Sequence, residues 1–305
     1  MKTIIRSISL AAALGAAFSA QAKLNLVATL PDFGAIAEQI GGDQVKVTCI
    51  CRGTEDPHFV DARPSFIRVL NQADVLLEGG AELEIGWLPP LVNNARNGRI
   101  LRDAPGDVRL CEGLHLLEVP TTTVDRSMGD VHPLGNPHYW LDPLNGKVIA
   151  AHIAGKLGQL DPANRGFYHA NLQKFNERLD AKLAEWTRQM EPFRGTKIVT
   201  YHKSFEYFAD RFGLVIAGVI EPRPGIEPTP GHINDLIPRM KASGIKLVVI
   251  EPFRPRKTPE YVAQATGAKL VLVPVMTGGH ERTKDYFSVF DYAVAQISAA
   301  LKPSP

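Results

Sequence analysis

The sequence predicts an α/β protein: two α/β lobes with mostly parallel sheets, joined by one long rigid helix. Three observations carry the prediction. Short apolar runs alternate with helical stretches, the rhythm of parallel strands connected by covering helices. The rhythm runs through residues 23–160, stops, and resumes over residues 191–305. In the gap, Phe167, Leu172, Phe175, Leu179, Leu183, Trp186 and Met190 recur at helical spacing, a single apolar stripe on one helix. From residue 162 to residue 190 that helix spans about 40 Å, enough to bridge two lobes.

Composition agrees with a folded chain. Its 305 residues amount to roughly two domains. It is 45% hydrophobic and 22% charged, which excludes collagen-like, coiled-coil and disordered classes. With 34 basic against 32 acidic residues the formal charge is +2, and no basic run stands out, so no nucleic-acid partner is expected. Residues 1–22 read as a cleavable signal peptide: Lys2 and Arg6 make a positive start, an apolar stretch runs from Ile8 to Phe18, and Ala20-Gln21-Ala22 is a small-x-small cleavage signal. The apolar part is shorter than the roughly 20 residues a membrane span needs. Lys23 then begins the exported protein, with no Cys at the cleavage point to carry a lipid.

In the first lobe, Leu24–Ala28 is a strand, and Pro31-Asp32 opens a helix that ends at Gly41-Gly42. Val45–Cys51 alternates as a strand, residues 52–61 form a loop, Pro64–Asn71 is helical and Val75–Leu77 is a buried strand. Leu83–Ala95 is part helix, with Pro89-Pro90 as a break or restart. Ile100–Leu101 and Val108–Leu110 are short strands. Residues 115–137, rich in Pro, Gly, Thr and Asp, form a long loop of the kind that tends to be functional or mobile. Asp142-Pro143 and Asp161-Pro162 each start a helix, Asp as N-cap and Pro as first helical residue. In the second lobe the strands are Lys197–Tyr201, Leu214–Ile220, Lys246–Glu251 and Lys269–Val275. The helices are Lys203–Phe212, one within Pro228–Ser243, Pro259–Thr266 and Tyr286–Leu301. Cys49, Cys51 and Cys111 predict one disulfide in an oxidising compartment, with either Cys49 or Cys51 paired to Cys111 and one thiol left over.

The chemistry lies in the histidines. His58 sits in a loop between a strand and a helix, His202 directly follows a strand, and His138 lies four residues before the Asp142 cap. Ligand sites of open α/β sheets lie beyond the carboxyl ends of strands. Three imidazoles reaching one such crevice suit a borderline-soft divalent cation. His152, His169 and His232 fall on helices or their starts and read as packing or surface residues. Glu227 and Glu251, at element ends, are candidates to hold a His tautomer.

Several segments resemble the metal-binding receptors of ABC uptake systems, the cluster A-I solute-binding proteins. They are Val27-Ala28-Thr29 with Asp32, Asp56-Pro57-His58 with Arg63-Pro64-Ser65, Gly135-Asn136-Pro137-His138-Tyr139-Trp140-Leu141-Asp142-Pro143, the stretch from Thr200 to Phe208 around His202, and Gly225-Ile226-Glu227-Pro228-Thr229-Pro230. The match is nearest to the zinc-uptake branch of ZnuA- and AztC-like proteins. The resemblance implies two lobes on a rigid helix with the metal between them, His58 and His138 as ligands from the first lobe and His202 from the second. It implies Asp285 as fourth ligand, with Glu281, His280, Glu55 or water as alternatives. His at position 202, where the manganese-type pattern has a carboxylate, favours Zn²⁺. The resemblance further implies a periplasmic, monomeric receptor that is not an enzyme and hands Zn²⁺ to an inner-membrane ABC permease. A manganese or iron receptor of the same architecture is the alternative, and an exported zinc hydrolase a remote one. His115 and His132 make the long loop a candidate accessory metal-capture element.

Overall fold

The computed structural model describes residues 23–122, 124, 129 and 131–303. The signal-peptide expectation falls on residues 1–22, outside the described residues. Lobe one carries strands β1 (Leu24–Ala28), β2 (Val45–Cys49), β3 (Val75–Glu78) and β4 (Asp107–Arg109) in the order β2-β1-β3-β4, all parallel. Lobe two repeats the pattern with β5 (Lys197–Thr200), β6 (Val215–Val219), β7 (Leu247–Ile250) and β8 (Lys269–Leu272) in the order β6-β5-β7-β8. The inner strands β3, β5 and β7 are buried along nearly their whole length and β1 over its last three residues, as parallel strands covered on two faces must be. The covering helices of lobe one are α1 (Pro31–Gly41), α2 (Pro64–Asn71), α3 (Leu88–Ala95) and α4 (Asn145–Leu160). Pro31, Pro64 and Pro89 stand at the starts of the first three, where a missing N–H costs nothing.

The bridge is α5 (Arg165–Met190), 26 residues and so about 39 Å long. It packs against α4 and α1 of lobe one and against α9 (Tyr286–Leu301) of lobe two. Its buried residues are Tyr168, Phe175, Leu179, Trp186 and Met190. The expected stripe holds except at its start: Phe167 is 42% exposed and its neighbour Tyr168 turns inward. Tyr168 wins the core position because its hydroxyl finds a buried acceptor, Asp161 Oδ2 at 2.6 Å. Lobe two is completed by α6 (Glu206–Phe212), α7 (Pro230–Ala242) and α8 (Lys257–Thr266). Among the described residues no helix is long and apolar enough to cross a membrane.

The lobes also dock directly. One apolar core is continuous from Leu26 and Phe33 through Trp140 and Trp186 to Phe208 and Phe290. Polar ties cross the same seam. Trp140 Nε1 donates to Val275 O at 2.8 Å, and Tyr286 Oη donates to Trp140 O at 3.0 Å. Arg211 grips Asp142 through two bonds of 2.7 and 2.6 Å. The fully buried Asp32 accepts the Thr277 amide at 3.2 Å and the Thr277 hydroxyl at 3.1 Å. Where the loop after β2 meets the segment before α9, backbone lies on backbone: a Cβ added at Gly53 would fall 2.1 Å from Thr277 O.

The expected disulfide is absent: Cys49, Cys51 and Cys111 are all free thiols. Sheet order explains why. Cys49 and Cys51 lie at the end of edge strand β2, while Cys111 follows β4 at the opposite edge. Three strand spacings separate them, about 14 Å, whereas a disulfide needs Cα atoms within about 7 Å. Cys49 instead packs under α1 against Gly34, and burial pushes its thiol up to about 12.

Asp32 makes the seam sensitive to pH. Burial raises its carboxyl from 3.8 to about 7, against the pull of the Thr277 donors. A raised folded pKa means stability present below about pH 4 and lost as pH rises through 7. Asp32→Asn is expected to gain stability over the parent between pH 4 and pH 8, by up to about 4 kcal/mol. Urea denaturation of both proteins at several pH values checks this; parallel pH dependences would contradict it.

Candidate metal centre

His58, His138 and His202 come from three segments and meet at the seam. His58 lies in the loop between β2 and α2, where Trp87 Nε1 donates to Pro57 O at 3.0 Å and the His58 amide donates to Asp56 Oδ1 at 3.0 Å. His138 precedes a 3₁₀ turn, Tyr139–Leu141, anchored by Tyr139 Oη on Gly79 O at 2.8 Å. His202 follows β5, the central strand of lobe two. The topological positions differ more than the sequence suggests. His58 follows the second strand of its lobe and His202 the first of its own, and no strand directly precedes His138.

One ligand atom from each residue lies within 4.8 Å of the other two. His58 Nε2 and His138 Nε2 are 3.1 Å apart, and the three ring centroids are separated by 5.0, 5.4 and 5.2 Å. Two nitrogens at about 2.0–2.1 Å from one tetrahedral ion stand about 3.3 Å apart, so the pair is close to the spacing a shared ion requires. The three residues are 5%, 2% and 3% exposed.

Tautomers follow from the partners. His138 Nδ1 lies 2.9 Å from Asn136 Oδ1, an oxygen that only accepts, so Nδ1 carries the proton and Nε2 presents its lone pair. Asn136 Oδ1 also accepts the His138 amide at 3.0 Å, and its Nδ2 donates to Lys203 O and Glu118 Oε2. His202 Nδ1 donates to Glu221 Oε2 at 2.6 Å, which likewise bares Nε2. Burial holds the pKa of His138 and of His202 well below 6.5; the neighbouring His58 and the Arg254 guanidinium add to the effect. Neutral rings with aimed lone pairs are the state a cation binds. Burial raises Glu221 to about 7, opposed by Arg254.

Asp285 does not join the cluster. Its carboxylate caps α9, accepting Ser288 N at 2.8 Å in a capping box, and pairs with Arg178 of α5 at 3.1 Å. The helix cap therefore takes the residue that the resemblance assigns to the ion. The alternatives are also engaged elsewhere. Glu55 accepts the Arg52 amide at 3.0 Å and pairs with Arg63, His280 rests on Tyr292, and Glu281 is exposed. His132 stacks on His58 with centroids 5.2 Å apart, and it lines a cavity shared with His138 and His202; His115 is exposed. Glu227 is exposed, and Glu251, fully buried, accepts the Ser204 hydroxyl rather than an imidazole. The residue missed in the sequence is Glu221. Its signal is positional: it stands just beyond β6, the strand that corresponds in sheet order to β2 ahead of His58. His232 is structural, its Nε2 lying 2.9 Å from Val219 O.

Comparison with known proteins gives this geometry its context. The family of periplasmic zinc-uptake complex component A proteins, ZnuA, matches residues 26–300. The metal ABC transporter substrate-binding lipoprotein ScbA of Streptococcus cristatus is 28% identical over 291 residues, 92% of this chain and 89% of that protein. The manganese ABC transporter substrate-binding lipoprotein PsaA of Streptococcus pneumoniae is 28% identical over 294 residues, with the same coverage of 92% and 89%. The high-affinity zinc uptake system protein ZnuA of Brucella abortus is 32% identical over 166 residues, 54% of this chain and 48% of that protein. A crystal structure of ZnuA superposes with a TM-score of 0.77 at 26% identity, over 92% of this chain and 100% of that one. A manganese-bound periplasmic metal-binding protein from Candidatus Liberibacter asiaticus, 20% identical, shares the fold with a TM-score of 0.76. The chain belongs to the ZnuA family and is a substrate-binding receptor of a metal ABC transporter, not an enzyme.

Proposed function

We propose that the protein captures Zn²⁺ in the periplasm and delivers it to an ABC permease in the inner membrane. The observation that supports zinc is the donor set: three buried imidazoles, of which burial holds His138 and His202 neutral, with no carboxylate among the described groups that meet. Zinc takes nitrogen ligands in tetrahedral geometry, whereas manganese favours oxygen-rich sites. His58, His138 and His202 are the ligands in this proposal, and with Asp285 committed to its helix the fourth position goes to water. A manganese receptor is the second reading, prompted by the full-length likeness to proteins named for manganese. Export of the receptor is assigned to residues 1–22, and the lobes to residues 23–160 and 191–305 with the bridge at 161–190. The protein works as a monomer. Because His202 belongs to one lobe and His58 and His138 to the other, loading closes the ring of ligands across the seam. Release at the permease then requires that seam to loosen.

Calorimetry on residues 23–305 is expected to show one tight Zn²⁺ site and much weaker Mn²⁺ binding. His202→Glu should narrow the zinc-to-manganese ratio by about tenfold or more; an unchanged ratio would mean His202 is no ligand and would remove the case for zinc. Asn136→Ala leaves His138 without its orienting acceptor and should weaken Zn²⁺ about 10- to 100-fold while the far-ultraviolet dichroism stays unchanged.

A further inference from the structure

We propose that Arg254 is the positioning residue that couples the two halves of the metal site, aligning the imidazoles of both lobes through one guanidinium. Arg254 lies in the loop after β7 of lobe two, with its side chain 10% exposed. Its Nη1 is 2.9 Å from Asp56 Oδ2, across the seam in lobe one. The other oxygen of Asp56 accepts the His58 amide at 3.0 Å. The same Nη1 is 4.0 Å from Glu221 Oε1, and the other oxygen of Glu221 takes His202 Nδ1 at 2.6 Å. Arg254 Nε is 3.9 Å from Glu251 Oε2. A chain of hydrogen bonds and ion pairs thus links the backbone of His58 to the ring of His202 without passing through the ion. It runs from the His58 amide to Asp56, Arg254, Glu221 and the His202 ring.

The residue type suits the task. A guanidinium is planar, always charged and weakly hydrated, so it can stay buried with one close partner, Asp56 at 2.9 Å, while its charge reaches Glu221 and Glu251 of lobe two at 4.0 and 3.9 Å. An ammonium would sit on one of them. The rings of Tyr201 and Phe253, at 5.6 and 5.4 Å, flank the guanidinium and limit where it can go. One positive charge here faces three carboxylates, Asp56, Glu221 and Glu251. Removing it takes away the guanidinium these carboxylates share, and with it the contact that joins Asp56 of lobe one to lobe two beside the imidazoles.

The inference rests on the zinc-receptor reading, and the experiment separates the two. Zinc dissociation into excess chelator is followed by stopped flow for the parent, Arg254→Lys, Arg254→Met, Asp56→Asn and the Arg254→Met/Asp56→Asn double variant. Visible spectra of the Co²⁺-loaded proteins report ligand alignment. Arg254→Met and Asp56→Asn are each expected to release zinc about 10- to 100-fold faster, with Arg254→Lys intermediate. The double variant should be little faster than either single one, since both cut the same link. The Co²⁺ bands should shift in all variants, which a purely scaffolding role would not produce. If Arg254→Met does not fold, the Lys and Asn variants decide the matter. Release rates within twofold of the parent with unchanged Co²⁺ bands, or strictly additive effects, would overturn the role of Arg254. A parent protein that binds no zinc would instead sink the receptor reading itself.

Discussion

A buried imidazole can take a cation only while it is neutral, and its lone pair points only where its other nitrogen allows. The rest of this site follows from that constraint. Burial strips His138 and His202 of the water that would stabilise a proton, and the positive guanidinium of Arg254 adds to the effect. Asn136 and Glu221 then settle which nitrogen keeps the proton in each ring. The two partners differ in kind, one a neutral amide and the other a carboxylate, so the two rings differ in donor strength. An imidazole whose proton rests on a carboxylate is the more electron-rich ligand. His202, alone in its lobe, is thus the stronger donor of the two by this criterion.

The constraint extends into the fold. Water is kept from the imidazoles because the lobes dock along an apolar seam, and the docking is specified by polar pairs that have one partner on each side. Asp32 with Thr277, Asp142 with Arg211 and Trp140 with Val275 are all of this type. Such pairs carry direction as well as energy, since a shifted seam would leave a buried donor or acceptor without its partner. The long helix α5 adds a rod that contacts helices of both lobes. Together they favour small relative movements over a wide opening.

Much of this was legible in the sequence for a simple reason. Parallel strands buried on both faces leave continuous apolar runs, and a bridging helix leaves a stripe, so the strands at 24–28, 45–49 and 247–250 and the helix at 165–190 all announce themselves locally. The three histidines stood out through the family motifs around them, since only His202 closely follows a strand. What escaped depended on spatial neighbours. Nothing near Glu221 in the chain marks it as the partner of His202, nineteen residues away. Asp285 precedes a helix, a position equally suited to a ligand and to an N-cap, and only the presence of Ser288 and Arg178 around it decides. The cysteine pairing failed because strand order across a sheet is not written in the spacing of cysteines along the chain.

The bare backbone contact at Gly53 has a mechanical corollary. Side chains at an interface can slide and swap rotamers, so that surfaces holding them separate by degrees. Main chain pressed on main chain has no such slack, and with Gly53 lying against Thr277 and Gly279 there is nothing to re-pack at that point. That stretch of the seam therefore has no side-chain play by which to part gradually.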